Sequence, residues 1–491
     1  MINKFFLLWI FLFSLPAMSI SQKISGNIHT EYSAAKKAQS RYFENWSDFA
    51  LSKGGFRLGG RFAFHEPPAS FSQQDTTWGL VQRFLNYQHG GLSITAGNFY
   101  GLLGRGLVLR SFDNRTLRWD SNIDGLKVDY RSQVVDAKIL AGRPRKTRLN
   151  VAELKKKKPR AAGEKLPAIY GGEVKLKPID LLHLGGTYLY TAGDKQHARG
   201  YSRASLFGKM NFDIASLYCE YAVLPYPASY HLSDGTALYF AGNLFLGDLN
   251  ITGEFKSYKN FAFYDGLLNN PPTVTREHLF TLLNRHQLVQ NANDEKGYLV
   301  EMNYPVAESG VATAGYCITR DSLQNTVYQE WYGQFEMDEF LGGEWLWAAG
   351  RQKEYTRSYL NFVANATYGI TDYYSIKVIL EHMHARDEAT QPDRMYYDQL
   401  ITIGLSRAPK WTLSFLGEHS TDQTVDEHYV PGQAKTKHFY WAGGQLDVNV
   451  YKNIDLSVFG GTRRQGKICI GGVCVVKPEL QGVEVTLIGR F

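Results

Sequence analysis

Apolar and polar residues alternate over short stretches along most of this chain. In 250–258, Ile251, Gly253 and Phe255 alternate with Thr252, Glu254 and Lys256. In 297–304, Tyr298, Val300 and Met302 alternate with Leu299, Glu301 and Asn303. Trp411, Leu413 and Phe415 alternate with Thr412, Ser414 and Leu416, and Ile454, Leu456 and Val458 with Asp455 and Ser457. A period of two is the signature of a β-strand, whose successive side chains point to opposite faces. The segments run to about ten residues, long enough to cross a bilayer as tilted strands.

The connections between these segments alternate too. Short turns fall near 53–55, 89–91, 131–133, 178–180, 211–213, 247–248, 305–309, 338–343, 371–374, 408–410 and 451–453. Mostly longer connections separate them, at 33–45, 66–78, 101–123, 144–166, 193–199, 225–235, 260–294, 321–325, 355–357, 385–395, 421–436 and 465–480. Short turns at one end and long loops at the other are the mark of a transmembrane barrel. The spacing predicts an all-β, antiparallel up-and-down barrel of about 24 strands, within a range of about 18 to 26. The connection at 355–357 is the weakest in that count. An array of soluble β-sandwiches or a propeller is the alternative, and neither explains the alternation of turn lengths.

At the N-terminus, Lys4 precedes an apolar run from Phe5 to Leu15, ended by Pro16 and followed by Ala17, Ser19 and Ser21. That run is too short to span a bilayer as a helix and has the form of a signal peptide. The expected division is a signal peptide over 1–21 and one barrel domain over 22–491. Strand pairing begins directly after the leader, so no N-terminal plug domain is expected.

Composition agrees with a barrel. Aromatics make up 14 % of the 491 residues, with 31 Tyr against 28 Phe, and there are 47 Gly. Tyrosines suit both headgroup girdles and a wet lumen. The net charge of +7 selects no class of partner. Of the four cysteines, Cys469 and Cys474 flank Ile-Gly-Gly-Val, which makes a disulfide across a hairpin geometrically plausible in an oxidising compartment. Cys219 and Cys317 sit in strand-like segments and are expected as buried or lipid-facing thiols.

The last strand, 481–491, places Val483, Val485, Leu487, Gly489 and Phe491 on one face. It resembles the terminal signal of outer-membrane proteins, which the barrel-assembly machinery reads by strand addition. This strand is expected to close against 22–32, with Phe491 at the periplasmic rim.

Two loops are long enough to fold inward. The segment 97–130 carries Arg105, Arg110, Arg115 and Arg118 with Asp113, Asp120 and Asp124. Gly101, Gly104 and Gly106 allow sharp bends, and Leu107, Val108, Leu109 and Trp119 supply apolar weight. Those seven charged residues are the candidate pore constriction, where opposed charges create a field that favours anionic or sugar-like solutes. The other reading is that they pair with one another at the rim. The second loop, 260–294, follows Pro271-Pro272 with Leu279, Leu282 and Leu283 at helical spacing, which predicts a short helix near 274–290 capped by Thr273 or Thr275. His278 and His286 read as surface histidines.

The segment 97–130, with its Asp124-Gly125 and Tyr130, resembles alginate-export-type barrels. The stretches 270–285, 293–304 and 471–491 resemble an uncharacterised family of large outer-membrane barrels, which implies a barrel and a location and supplies no site residues. Lys155–Lys158 with Arg160 is a basic run in an outer loop, solvated or in contact with lipopolysaccharide phosphates. His382 and His384 share a strand face, but two ligands do not define a metal site. No nucleophile motif, phosphate loop or zinc-ligand spacing is present. No enzyme, cofactor, metal site or nucleic-acid partner is therefore expected. The expected function is a porin-like outer-membrane channel for hydrophilic solutes, partly occluded by its own loops. The alternative is a structural or assembly component with no open pore. The lipid bilayer is the expected environment in either case.

Overall fold

The computed structural model describes residues 23–37, 40–66, 77–115, 119–146, 164–165, 167–193, 200–225, 234–261, 271–285, 293–389, 394–426, 437–470 and 473–491. The expected signal peptide, the 155–158 basic run, Arg118 and His286 lie outside them.

The described chain is a closed antiparallel barrel of 24 strands. In chain order these are β1 (Lys23–Ala35), β2 (Tyr42–Lys53), β3 (Phe56–Glu66), β4 (Thr77–His89), β5 (Leu92–Phe99), β6 (Ile123–Arg131), β7 (Val135–Lys146) and β8 (Ile169–Ile179). There follow β9 (Leu182–Thr191), β10 (Tyr201–Phe212), β11 (Ala215–Leu224), β12 (Gly235–Leu246), β13 (Leu249–Lys259), β14 (Asp294–Ala307), β15 (Gly310–Arg320) and β16 (Thr326–Phe340). The last eight are β17 (Gly343–Glu354), β18 (Arg357–Gly369), β19 (Tyr374–Asp387), β20 (Arg394–Arg407), β21 (Trp411–Ser420), β22 (Phe439–Tyr451), β23 (Ile454–Arg463) and β24 (Leu480–Arg490). A short rung, Glu164–Lys165, extends β7 within its loop.

Each strand pairs with its neighbours in sequence, and β24 pairs back onto β1 from Asn27↔Arg490 to Ala35↔Gly482. Closure matters because an open edge would leave a row of backbone groups unpaired in lipid. The expected closing pair is therefore present. It is extended by Gly26 and Phe491, whose backbones exchange hydrogen bonds of 2.8 and 3.1 Å. A Cβ at Gly26 would lie 2.2 Å from Cζ of Phe491, so the terminal ring rests where Gly26 has no side chain.

The alternation in the sequence decides which residues face where. On β19 and β20, Leu380 and Ile401 point outward and are exposed, whereas Glu381, Met383 and Asp398 point inward and are buried. A band of exposed apolar residues would be costly in water and is at rest against acyl chains. Eleven short turns gather at one end, here the turn end, and the mostly longer connections at the other, the loop end. Gly54, in the turn between β2 and β3, takes φ +57°. The doubtful connection at 355–357 is real: Tyr355 and Thr356 alone join β17 to β18, with Tyr355 at φ +49°.

One expected element is absent. Of the helix expected near 274–290, the described residues 274–285 form no α-helix, only a single 3₁₀ turn at Leu282–Asn284, and 286–290 lie outside the described residues. Thr273 caps nothing helical: its hydroxyl accepts the Thr275 N–H at 3.3 Å in a local turn. The backbone groups that a helix would have satisfied internally go to side chains on the wall. The Leu282 N–H donates to Glu381 at 2.7 Å, and Gln352 donates to the Leu283 carbonyl at 2.9 Å. His278, expected at the surface, is buried.

The 466–477 segment forms a separate hairpin in which Cys469 lies opposite Cys474. Cys469 is disulfide-bonded, whereas Cys219 and Cys317 are free.

Candidate functional site

The connection from β5 to β6 does not extend into solvent. Leu103, Leu107, Val108 and Leu109 are fully buried against Leu140, Ile169, Leu189, Phe207 and Tyr218 on the inner wall. Burying four aliphatic side chains contributes about 6–12 kcal/mol in all, as an upper bound. The loop tip is also held by carboxylates. The Gly104 N–H donates to Glu173 at 2.7 Å and the Arg105 N–H to Glu220 at 2.8 Å. Glu220 is itself fully buried and accepts from Tyr218 at 2.6 Å and Ser205 at 2.8 Å. Gly104 has φ +57°, and a Cβ there would meet the Glu220 carboxylate at 2.3 Å. Only glycine fits this approach.

The far side of the same loop is tied to β2 and β3. Asp113 accepts from Arg61 at 2.7 Å, and Arg115 donates to Asp48 at 2.6 Å. Arg61 also bonds Asp48 at 2.6 Å. The loop is thus fastened at one side to β2–β3 and at the other to β8–β11.

A second insertion, 271–285, comes from the connection between β13 and β14. Leu282 and Leu283 are fully buried, and Phe280 and Leu283 pack on Leu346, Ala348 and Val363. Leu283 reaches the wall where Gly350 leaves room; a Cβ there would meet it at 2.8 Å. His278 Nε2 lies 2.7 Å from Glu330, which also accepts from Gln352 at 2.7 Å. Asn284 staples the segment internally, donating to the carbonyls of His278 and Phe280 at 2.6 and 2.7 Å. The 466–477 hairpin sits on this insertion: the Cys469 N–H donates to the Thr281 hydroxyl at 3.0 Å, and Lys467 pairs with Glu277.

Beside these two insertions, the loop end holds a polar cavity of about 1040 Å³. Its wall carries five aromatic residues, Tyr355, Tyr359, Tyr396, Phe439 and Trp441, and its floor a lattice of ion pairs. Arg464 donates to Asp398 at 2.9 Å and to Asp422 at 3.2 Å. Arg285, from the second insertion, reaches Asp398 at 3.4 Å and pairs with Glu418. Arg464 lies over the Trp441 ring at 5.7 Å, and Arg394 over Tyr396 at 5.3 Å.

The residues expected to form a constriction take two roles. Asp113 and Arg115 pair with the wall as described. Asp120 accepts from Tyr100 at 3.0 Å and Gln82 at 2.8 Å, and Asp124 pairs with Arg145 at 2.7 Å. Arg105 and Arg110 are exposed, with Arg105 4.8 Å from the Tyr218 ring and Arg110 5.8 Å from Phe112. The assembly residues Val483, Val485, Leu487 and Gly489 form the outward face of β24, with Phe491 at its end. His382 and His384 also face outward; His382 lies 3.4 Å from Gln399. Among the described residues, no group of three or more His, Cys, Asp or Glu is placed to hold a metal ion.

The anchors Glu173, Glu220, Glu330, Gln352 and Glu381 were not singled out in the sequence, nor was the mouth cavity. The available signal was acidic residues at inward positions of several strands, but alternation does not say how far along the lumen each one lies.

No curated protein matches this sequence. Among solved structures, a chain of the E. coli P pilus tip assembly intermediate PapC-PapD-PapK-PapG matches with TM-score 0.56 and 10 % identity. The match covers 97 % of this chain and 62 % of that one, so this chain spans less than two thirds of its length. The copper transporter OprC matches with TM-score 0.44 and 10 % identity over 96 % of this chain and 80 % of that one. Pseudomonas aeruginosa OccK3 matches with TM-score 0.43 and 11 % identity over 80 % of this chain and 96 % of that one. At 10 % identity the first of these likenesses is one of fold alone, that of a large β-barrel. A family model matches residues 16–318 and 348–491, and the chain accordingly belongs to the family of unknown function DUF6029.

Proposed function

We propose that this protein is a loop-constricted outer-membrane channel for hydrophilic solutes, with its loop end outward and its turn end in the periplasm. One observation carries the reading. The 100–122 loop is fastened to opposed stretches of the inner wall, at Asp48 and Arg61 on one side and at Glu173 and Glu220 on the other. A loop fixed at both sides narrows a lumen without needing a separate plug domain. Arg105 and Arg110, exposed on this loop, bias the solutes that pass. In this reading the protein performs no chemistry, and β24 serves the assembly machinery as its recognition strand.

Planar-bilayer recording of the purified, folded protein tests this. Discrete single-channel steps are expected, with a larger unit conductance and altered ion selectivity when 102–110 is replaced by a short Gly-Ser linker. Absence of steps in both proteins would sink the channel reading. It would favour a sealed barrel acting as a structural component, a reading supported by the complete burial of Leu103, Leu107, Leu282 and Leu283.

A further inference from the structure

We propose that the cavity at the loop end is a binding site for an uncharged oligosaccharide. The inference rests on the channel reading only for its biological use; the site stands on its own geometry. Its volume, about 1040 Å³, lies at the upper end of the roughly 300–1,000 Å³ of small-molecule sites, which suits a chain of several sugar units rather than one.

The charges say what the ligand is not. Every described cation lining the cavity already faces a carboxylate. Lys37 lies 2.9 Å from Glu479, Arg357 3.0 Å from Asp387 and Arg464 2.9 Å from Asp398, while Arg285 sits between Asp398 and Glu418. An anionic solute would have to draw one of these cations from its carboxylate, and taking the buried Arg285 or Arg464 leaves the fully buried Asp398 poorly compensated. Of the lining carboxylates, Asp398 and Asp422 are held by Arg464, Asp426 by Lys437 and Glu479 by Lys37, and Glu354 lies in the field of Arg357, so a cationic solute finds no unopposed carboxylate. A neutral ligand keeps every pair.

The remaining chemistry selects among neutral ligands. Paired guanidinium and carboxylate groups still have lateral N–H donors and oxygen lone pairs, arranged in planes that match the adjacent hydroxyls of a pyranose. Thr356, Thr424 and Gln465 add hydroxyl and amide groups. Trp441 and Tyr396, each backed by an arginine, offer flat faces polarised by the cation, suited to the C–H faces of sugar rings. An apolar ligand of the same size would desolvate the ion-pair lattice and gain nothing from it.

The site is assembled from distant parts of the chain. Arg285 comes from the second insertion, Arg464 from the last long connection, and four of the aromatic residues from β18, β20 and β22. Residues 355–356, the two-residue connection, border it.

Isothermal titration of the purified barrel in detergent tests the proposal. The probes are neutral hexasaccharides (maltohexaose, cellohexaose and chitohexaose), with hexagalacturonate as the anionic counterpart. At least one neutral probe is expected to bind saturably, at least tenfold more tightly than hexagalacturonate. Trp441→Ala should weaken it by tenfold or more, and Trp441→Phe should restore most of the loss. Gel migration before and after boiling verifies that each variant remains a closed barrel. Should Trp441→Ala fail that check, Asp422→Asn, which leaves the aromatic wall intact, must weaken binding at least threefold. No saturable binding of any neutral probe, preference for the anionic one, or indifference to these substitutions would overturn the proposal. Binding without conductance would keep the site and reject the channel; conductance without binding would do the reverse.

Discussion

Gly104→Val separates an anchored loop from one that merely happens to lie in the lumen. Valine at φ +57° costs about 1–2 kcal/mol from backbone sterics alone. Its Cβ would sit 2.3 Å from the Glu220 carboxylate, so the tip must lift. Lifting breaks the hydrogen bonds from Gly104 to Glu173 and from Arg105 to Glu220. Each has a charged acceptor and contributes about 1.5–3 kcal/mol. The sum is about 4–8 kcal/mol, out of about 9–18 kcal/mol that hold the parent tip through the two hydrogen bonds and the four buried aliphatic side chains together. About 5–10 kcal/mol then remains, and the released fraction rises about a thousandfold or more over the parent. Single-channel traces of this variant should show brief, larger openings that are rare or absent in the parent protein. Gly54→Val is the control, because Gly54 also has φ +57° but a Cβ there would have nothing within 4 Å. If both variants gate like the parent, or both change alike, the tip contacts do not constrict the pore.

Glu381→Leu should loosen the second insertion by removing the acceptor of the Leu282 N–H, at about 1–3 kcal/mol. Its effect on gating should add to that of Gly104→Val in the double variant, since the two anchors share no partner. Gly26→Val should lower the yield of heat-modifiable barrel in membranes several-fold, because its side chain would strike the Phe491 ring and the Asp48 carbonyl. Gly489→Val, with open space around its Cβ, should not, and equal yields for the two would refute the role of the Gly26–Phe491 contact. Reduction of the Cys469 disulfide should expose 464–480 to limited proteolysis, given a short-loop disulfide worth about 2 kcal/mol. The barrel itself should stay compact on an unboiled gel, since the hairpin lies outside the main sheet.

The barrel was legible because its two requirements are local. Alternation such as Ile251-Thr252-Gly253-Glu254 marks a strand with two different faces, and turns such as Gly54-Gly55 and Gly247-Asp248 mark its end. The inward fold of 101–123 was legible too, because Leu107-Val108-Leu109 between glycines is a poor solvent loop. What it lands on was not. Phe207, Tyr218 and Glu220 meet it only because closure sets β10 and β11 across the lumen, and no local pattern encodes that distance. The false helix has a similar cause. Leu279, Leu282 and Leu283 keep helical spacing, yet Leu279 is exposed while Leu282 and Leu283 pack in separate clusters on different strands. The segment follows the wall, and wall side chains take the hydrogen bonds a helix would have kept. The mouth cavity, drawn from stretches as far apart as Lys37 and Glu479, has no contiguous signature at all.

The 466–477 hairpin resting on 271–285 makes two distant parts of the chain depend on each other. Thr281 and Cys469 are 188 residues apart in sequence, and the hairpin lies between β23 and β24. Its seat on the insertion can form only when both parts are inside the barrel. Until then the insertion lacks the contacts of Thr281, Asn284 and Glu277 with the hairpin. The hairpin is thus a latch on the inserted segment. A truncated or half-inserted barrel should carry an unlatched plug, and maturation of the pore becomes a report on whether the chain has been completed.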